Sequence, residues 1–227
     1  MNIKRFICFL AVFHICFSAL AKDADDGLLV VFPEYDRIQL VCGDMPSTSD
    51  KEVTLTCCAG FSEGLSPFFS HERISHSHTS EGVFYHTSVH KRMAVFSFYK
   101  GKYHFSRGGE AELKKAAQNG GMGFMQWYII ENYTQRPYCY HKNKKVYFRA
   151  LCELNGKLCI IEAKDPMEYK TFVAKLMARK VRYAMYLDTD YGWQKWWYRD
   201  KEGKVCWRHR IDIAPFTTNY ITFYKKL

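Results

Sequence analysis

Apolar and polar positions alternate along most of this chain in short runs separated by Gly, Asn, Asp and Lys. Nine runs are rich in β-branched and aromatic residues: LLVVF at 28–32, IQLVC at 38–42, VTLTCCAGF at 53–61, MAVFSFY at 93–99, QWYII at 126–130, VYFRALCEL at 146–154, KLCIIEA at 157–163, YAMYL at 183–187 and YITFY at 220–224. Such side chains suit a pleated, half-buried surface, so each run predicts a strand. Two segments break the pattern. EAELKKAAQNGG, at 110–121, contains good helix formers and ends in Asn-Gly-Gly, a helix stop. DPMEYKTFVAKLMARK, at 165–180, offers Asp165 and Pro166 as N-cap and first helical residue, with Phe172, Leu176 and Arg179 at helical spacing. Many strands with about two main helices predict an α+β fold built on a mixed, mostly antiparallel sheet.

One register can be derived from sequence. Asn155-Gly156 between two apolar runs is the signature of a two-residue type I′ hairpin turn. It sets Cys152 opposite Cys159 and Arg149 opposite Glu162. Opposed Cα atoms in such a ladder lie about 4.5–5.5 Å apart, within reach of a disulfide, so the cysteine pair reads either as a bond or as two buried thiols.

The N-terminus has a different character. Lys4 and Arg5 precede an apolar run from Phe6 to Leu20, and Ala19-Leu20-Ala21 is a small-x-small cleavage signal. Residues 1–21 therefore read as a secretory signal peptide, with 22–227 as a single exported domain. The apolar run is short for a membrane span, and none is expected after cleavage. Export leaves seven cysteines: Cys42, Cys57, Cys58, Cys139, Cys152, Cys159 and Cys206. An odd number leaves at least one free or paired between chains. Neighbours Cys57 and Cys58 would point to opposite faces of a strand. The chain carries a net charge of +10, with its basic residues scattered. That surplus reads first as a solvated basic surface; where it serves a partner it suits an anionic one such as a phosphorylated glycan, and export argues against nucleic acid.

Candidate chemistry gathers in three places. In YAMYLDTDYGWQKWWYRD, at 183–200, the apolar run ends in Asp188 and Asp190 before an aromatic stretch that includes Trp193. Paired carboxylates at a strand end can divide acid and base roles, or simply mark a strand-to-turn transition. Aromatic residues there can form a platform for a sugar face, or core. His71, His76, His78 and His86 fall within sixteen residues. His76 and His78, an HxH pair, could hold a metal together with His71, but proton transfer or phosphate binding suits one of these histidines better, and no cofactor or metal is assigned. Arg149 lies in an apolar strand, where it needs a partner: Glu162 as an ion pair, or a phosphate for its planar donor fork.

No Walker loop, HExxH, GxSxG or GxGxxG occurs. GGMGF at 120–124 follows a helix instead of opening one, which makes it a poor phosphate cradle. Asn132-Tyr133-Thr134 is an N-glycosylation sequon.

The order of segments from about 50 to 225 resembles the phosphodiester glycosidase domain, found in a lysosomal enzyme that removes N-acetylglucosamine from phosphodiester-linked mannose and in many exported bacterial proteins. KVYFRALCELNGKLCIIEAKDPMEYKTFVAKLMARKVRYAMYLDTD is similar to its second half: an Arg in a strand, a hairpin, a helix, and a strand ending in Leu-Asp-Gly-Gly. Arg149 matches the Arg and Asp188 the Asp. CCAGF at 57–61 stands where the family has Asn-Gly-Gly-Phe-Phe, and TTNYITFYKK resembles its closing strand. Cys58 replaces the Asn, Ala59 the first Gly, and Thr189-Asp190 the Gly-Gly.

The resemblance implies hydrolysis of a sugar-1-phosphodiester. On that resemblance Arg149 and Gly60 would bind phosphate or substrate and Asp188 would orient or polarise the site. Beside it, the residues themselves add Asp190, a departure from the family's Gly, and Trp193 as candidate substrate contacts and His71 or His78 as candidate proton donors. The rival expectation is an inactive glycan-binding or surface-interaction protein that keeps the scaffold without the glycine turns. A metal-dependent hydrolase built on the histidines is a third.

Overall fold

The computed structural model describes residues 25–64, 66–90, 92–137, 144–190, 192–209 and 217–227. The expected signal peptide and Cys139 lie outside them. The first seven strands are β1 Leu28–Val31, β2 Arg37–Gly43, β3 Val53–Cys58, β4 His78–Ser80, β5 Val83–Tyr85, β6 Ala94–Tyr99 and β7 Lys102–Ser106. Helix α1, Gly109–Gln118, leads into β8 Met122–Gln126, β9 Tyr128–Glu131, β10 Thr134–Gln135 and β11 Lys145–Val146. Then come β12 Arg149–Leu154, β13 Lys157–Ala163, β14 Met167–Glu168 and helix α2 Tyr169–Ala178. The chain closes with β15 Tyr183–Leu187, β16 Trp196–Arg199, β17 Val205–Arg208 and β18 Thr218–Tyr224. The class is α+β, as expected.

Three sheets form, in the strand orders β1-β13-β12-β15-β9-β10, β17-β16-β3-β18-β2 and β5-β4-β8-β6-β7, with a small β11-β14 pair beside them. Every pairing among the described residues is antiparallel. All three sheets turn one face into a shared core: Leu40, Leu55 and Ile221 from the second, Phe96 and Phe124 from the third, and Leu151, Ile160 and Leu187 from the first. Fully burying a side chain of this size contributes about 1.5–3 kcal/mol, so this junction contributes strongly to stability. Helix α2 covers the outer face of the first sheet through Phe172, Val173 and Leu176. Helix α1 covers the third sheet, with Leu113 packed against Val95 and Met125.

The hairpin register holds. Asn155 and Gly156 adopt φ of 53° and 71°, and Arg149↔Glu162 and Cys152↔Cys159 are partners across it. Cys152 and Cys159 are free thiols, as are Cys42, Cys57, Cys58 and Cys206. Cys57 and Cys58 do point to opposite faces, one into the shared core and the other toward Trp193 and Tyr220.

One expectation needs correction. Helix α2 starts at Tyr169 behind Glu168, not at Pro166 behind Asp165. Met167 and Glu168 are extended because they pair with Val146 and Lys145, and a sheet ladder there outcompetes the local cap signal. The GGMGF segment does follow a helix: Gly120 and Gly121 lie between α1 and β8, which opens at Met122. A Cβ at Gly121 would sit 2.3 Å from the Phe98 carbonyl oxygen, and one at Gly123 would sit 2.8 Å from Leu113 Cδ2. These glycines let the chain and α1 close onto β6; they are packing residues.

Candidate functional site

Strands β3, β12 and β15 bring Ala59, Arg149 and Asp188 to one end of the fold. The Asp188 N–H donates to the Ala59 carbonyl at 3.1 Å, which joins the first and second sheets where the strands run out. Asp188 is 2% exposed. Its Oδ1 accepts the Asp190 N–H at 3.0 Å. Burial pushes this carboxyl up to about 7. The Asp190 charge adds to the rise, while the N–H bonds from Asp190 and Ser62 and the Arg149 guanidinium pull it back. A carboxyl near neutrality can both take and give a proton.

The turn facing Asp188 is held by Asn219. Its carboxamide oxygen accepts the Gly60 N–H at 2.7 Å, and its Nδ2 donates to the Gly60 carbonyl at 3.0 Å and to Ser62 Oγ at 3.0 Å. The Gly60 N–H is thus committed inside the protein. The Asp188 turn needs no glycine at 189 or 190, since neither has a positive φ; Gly192 takes the left-handed position, at φ 96°. Thr189 Oγ1 donates to the Tyr147 carbonyl at 2.8 Å and receives the Tyr186 hydroxyl at 2.9 Å. Thr189 is therefore hydrogen-bonded into the turn on both sides.

Arg149 is wholly buried. Its Nε donates to Glu162 Oε2 at 2.8 Å, its Nη2 donates to the Gln194 carbonyl, and the guanidinium lies 5.2 Å from the Trp196 ring centroid. Its Nη1 is buried without an acceptor among the described residues. Glu162 Oε1 also accepts from Arg208 Nε at 3.2 Å and His209 Nε2 at 3.0 Å. Burial would raise the Glu162 carboxyl, but Arg149, His209 and Trp196 hold it at about 2. Glu162 is an anionic hub shared by Arg149, Arg208 and His209, so the Arg149 charge is paired within the protein.

The other expected site residues separate into two groups. Asp190 is half-buried, and its carbonyl accepts the Trp193 N–H at 2.8 Å. Trp193 is 4% exposed and packs with Cys58 and Tyr220, so it is not an open sugar platform. Trp196 and Trp197 are fully buried. His71 and His78 meet each other, Nδ1 to Nε2 at 3.0 Å, and neither bonds to Asp188 or Arg149. Burial pushes His78 down to about 4 and lowers His71 as well. His76 does not join them: the HxH pair is split because the strand begins only at His78. His86 instead pairs with Glu110.

The histidine that meets the Arg149 network is His209. Reading the sequence missed it, together with Arg208 and Asn219, because nothing local marks them; only pairing of β16 with β17 and of β18 with β3 carries them there.

No known family profile matches the chain, and no curated protein matches it. Among solved structures, the chain is similar to the catalytic domain of zebrafish N-acetylglucosamine-1-phosphodiester alpha-N-acetylglucosaminidase, auto-inhibited by its pro-peptide. The TM-score is 0.52 at 11% identity, over 88% of this chain and 73% of that one. The likeness is one of fold. A distant structural relationship to a phosphodiester glycosidase catalytic domain agrees with the order of segments read from sequence.

Proposed function

We propose that this protein is a hydrolase of sugar-1-phosphodiesters, exported through its N-terminal segment, with Asp188 as the proton-transferring group. One observation carries the reading: a buried carboxyl poised at about 7, at the meeting of strand ends that corresponds to the Asp position of the resemblance. The chemistry asks for such a group. The leaving phosphomonoester has a second pKa near 6 and departs without strong acid assistance, so the harder proton to move is that of the attacking water. Water oxygen bonds to the anomeric carbon, the bond from that carbon to the phosphoryl oxygen breaks, and Asp188 takes the water proton. Arg149 keeps one donor, Nη1, for a phosphoryl oxygen. The scattered positive charge favours the anionic substrate.

The test is a panel of sugar-1-phosphodiesters with the wild type and Asp188→Asn, which keeps the shape of the side chain. Turnover in the wild type that is lost in the variant supports the assignment. The second reading, a glycan-binding module on the same scaffold, is favoured by the closure of Arg149 onto Glu162. Glycan binding by a folded wild type with no turnover across the panel would select it.

A further inference from the structure

The histidine segment is not used by the Asp188 site, and it lies against β2. There, Cys42 Sγ and one ring nitrogen each of His71 and His78 all lie within 4.8 Å of one another. We propose that these three residues form a binding site for a zinc-class divalent cation, with one coordination position left to solvent.

The donor set is a thiol and two imidazoles, the combination that favours a borderline-soft tetrahedral ion. Two zinc–nitrogen bonds at a tetrahedral angle place the nitrogens about 3.4 Å apart. The His71–His78 separation of 3.0 Å needs only a slight opening. The rings are already oriented. His78 Nδ1–H donates to the His76 carbonyl at 3.2 Å, which leaves the Nε2 lone pair facing the site. His71 stacks on Tyr85 at 3.5 Å between centroids and meets the Phe69 ring edge-on at 5.0 Å. Ser80 Oγ donates to the Leu40 carbonyl at 2.7 Å, tying β4 to β2 at the same carbonyl that Cys42 Sγ approaches at 4.0 Å. His78 is buried while Cys42 and His71 are half-buried, so the open position faces outward.

Binding is proton-balanced. Cys42, whose burial keeps it a thiol, gives up one proton to become a thiolate ligand, and the Nδ1 proton of His71 moves to Nε2. Three ligands and an open position are the arrangement of a reactive site; a purely structural site usually has four. The ion would also pin residues 66–90 to the second sheet. Ser62, whose N–H bonds to Asp188, pairs with Ile74 in that segment.

The experiment loads the full chain with Co²⁺ and, separately, with Zn²⁺ against a chromophoric chelator, in the wild type, Cys42→Ser and His71→Gln. The expected results are one equivalent bound and a thiolate-to-cobalt charge-transfer band in the wild type. The band should vanish in Cys42→Ser, and zinc affinity should fall at least about tenfold in both variants, the floor set by loss of a mere supporting partner. Zinc should raise the melting temperature of the wild type more than that of either variant. A wild type with no band, or a band that persists in Cys42→Ser, overturns the proposal. His71 lies on the half-exposed side, so the zinc affinity of His71→Gln decides between the outcomes even if Cys42→Ser unfolds.

Discussion

Arg149 and Glu162 face each other across the β12–β13 hairpin at 2.8 Å, and the side chains of both are 0% exposed. A buried pair of this kind contributes less through its attraction than it costs when halved, because the remaining charge has no water to turn to.

Truncating one partner should therefore be far worse than replacing both. Glu162→Ala is expected to destabilise by about 3–5 kcal/mol in urea unfolding, while Arg149→Met with Glu162→Leu should recover most of that loss. An equal loss in the single and double variants would mean that the guanidinium serves mainly as packing.

The same hub predicts acid sensitivity. Glu162 sits at about 2 in the fold against 4.5 unfolded. A depressed folded value stabilises above the unfolded value, and that contribution disappears as pH falls from about 4.5 toward 2. Melting temperatures across this window should drop more steeply in the wild type than in the Arg149→Met, Glu162→Leu variant.

Asp188 works in the opposite sense. Its carboxyl rises from 3.8 unfolded to about 7 folded, so the folded state holds the extra proton between those values. Stability should fall as pH rises through that range. Asp188→Asn should remove this slope and leave a protein more stable than wild type at pH 8, read by thermal melting. A variant that melts lower at every pH would sink the idea.

The Asn219 clamp should matter out of proportion to its size. Asn219→Ala leaves the buried Gly60 N–H without its acceptor, at a cost of about 1–3 kcal/mol. Asn219→Asp keeps an acceptor but loses both donors, so it should cost something too, and it should shift the pH profile of any Asp188-dependent activity through Ser62.

Gly121→Ala places a methyl 2.3 Å from the Phe98 carbonyl oxygen, a backbone atom that cannot swing aside. Overpacking of this kind costs about 1–3 kcal/mol or more. A neutral substitution in a chemical-denaturation series would show that β8 shifts freely.

By itself the sequence determined what is settled within a few residues of each position. Asn155-Gly156 set a two-residue turn, and with it the facing of Arg149 and Glu162. Strand-forming runs marked nine strands, and Asn119-Gly120 stopped α1. Short-range sterics and turn chemistry are enough for these. Tertiary structure decided the rest, because it depends on which strands become neighbours. The ladder with Lys145 and Val146 delayed α2 to Tyr169. Trp196 and Trp197 became core because β16 pairs with β3. Sheet packing, not spacing, put His209 on Glu162, and Cys42 beside His71 and His78 in place of His76. The near-neutral carboxyl of Asp188 likewise comes from burial, which no local pattern of residues encodes.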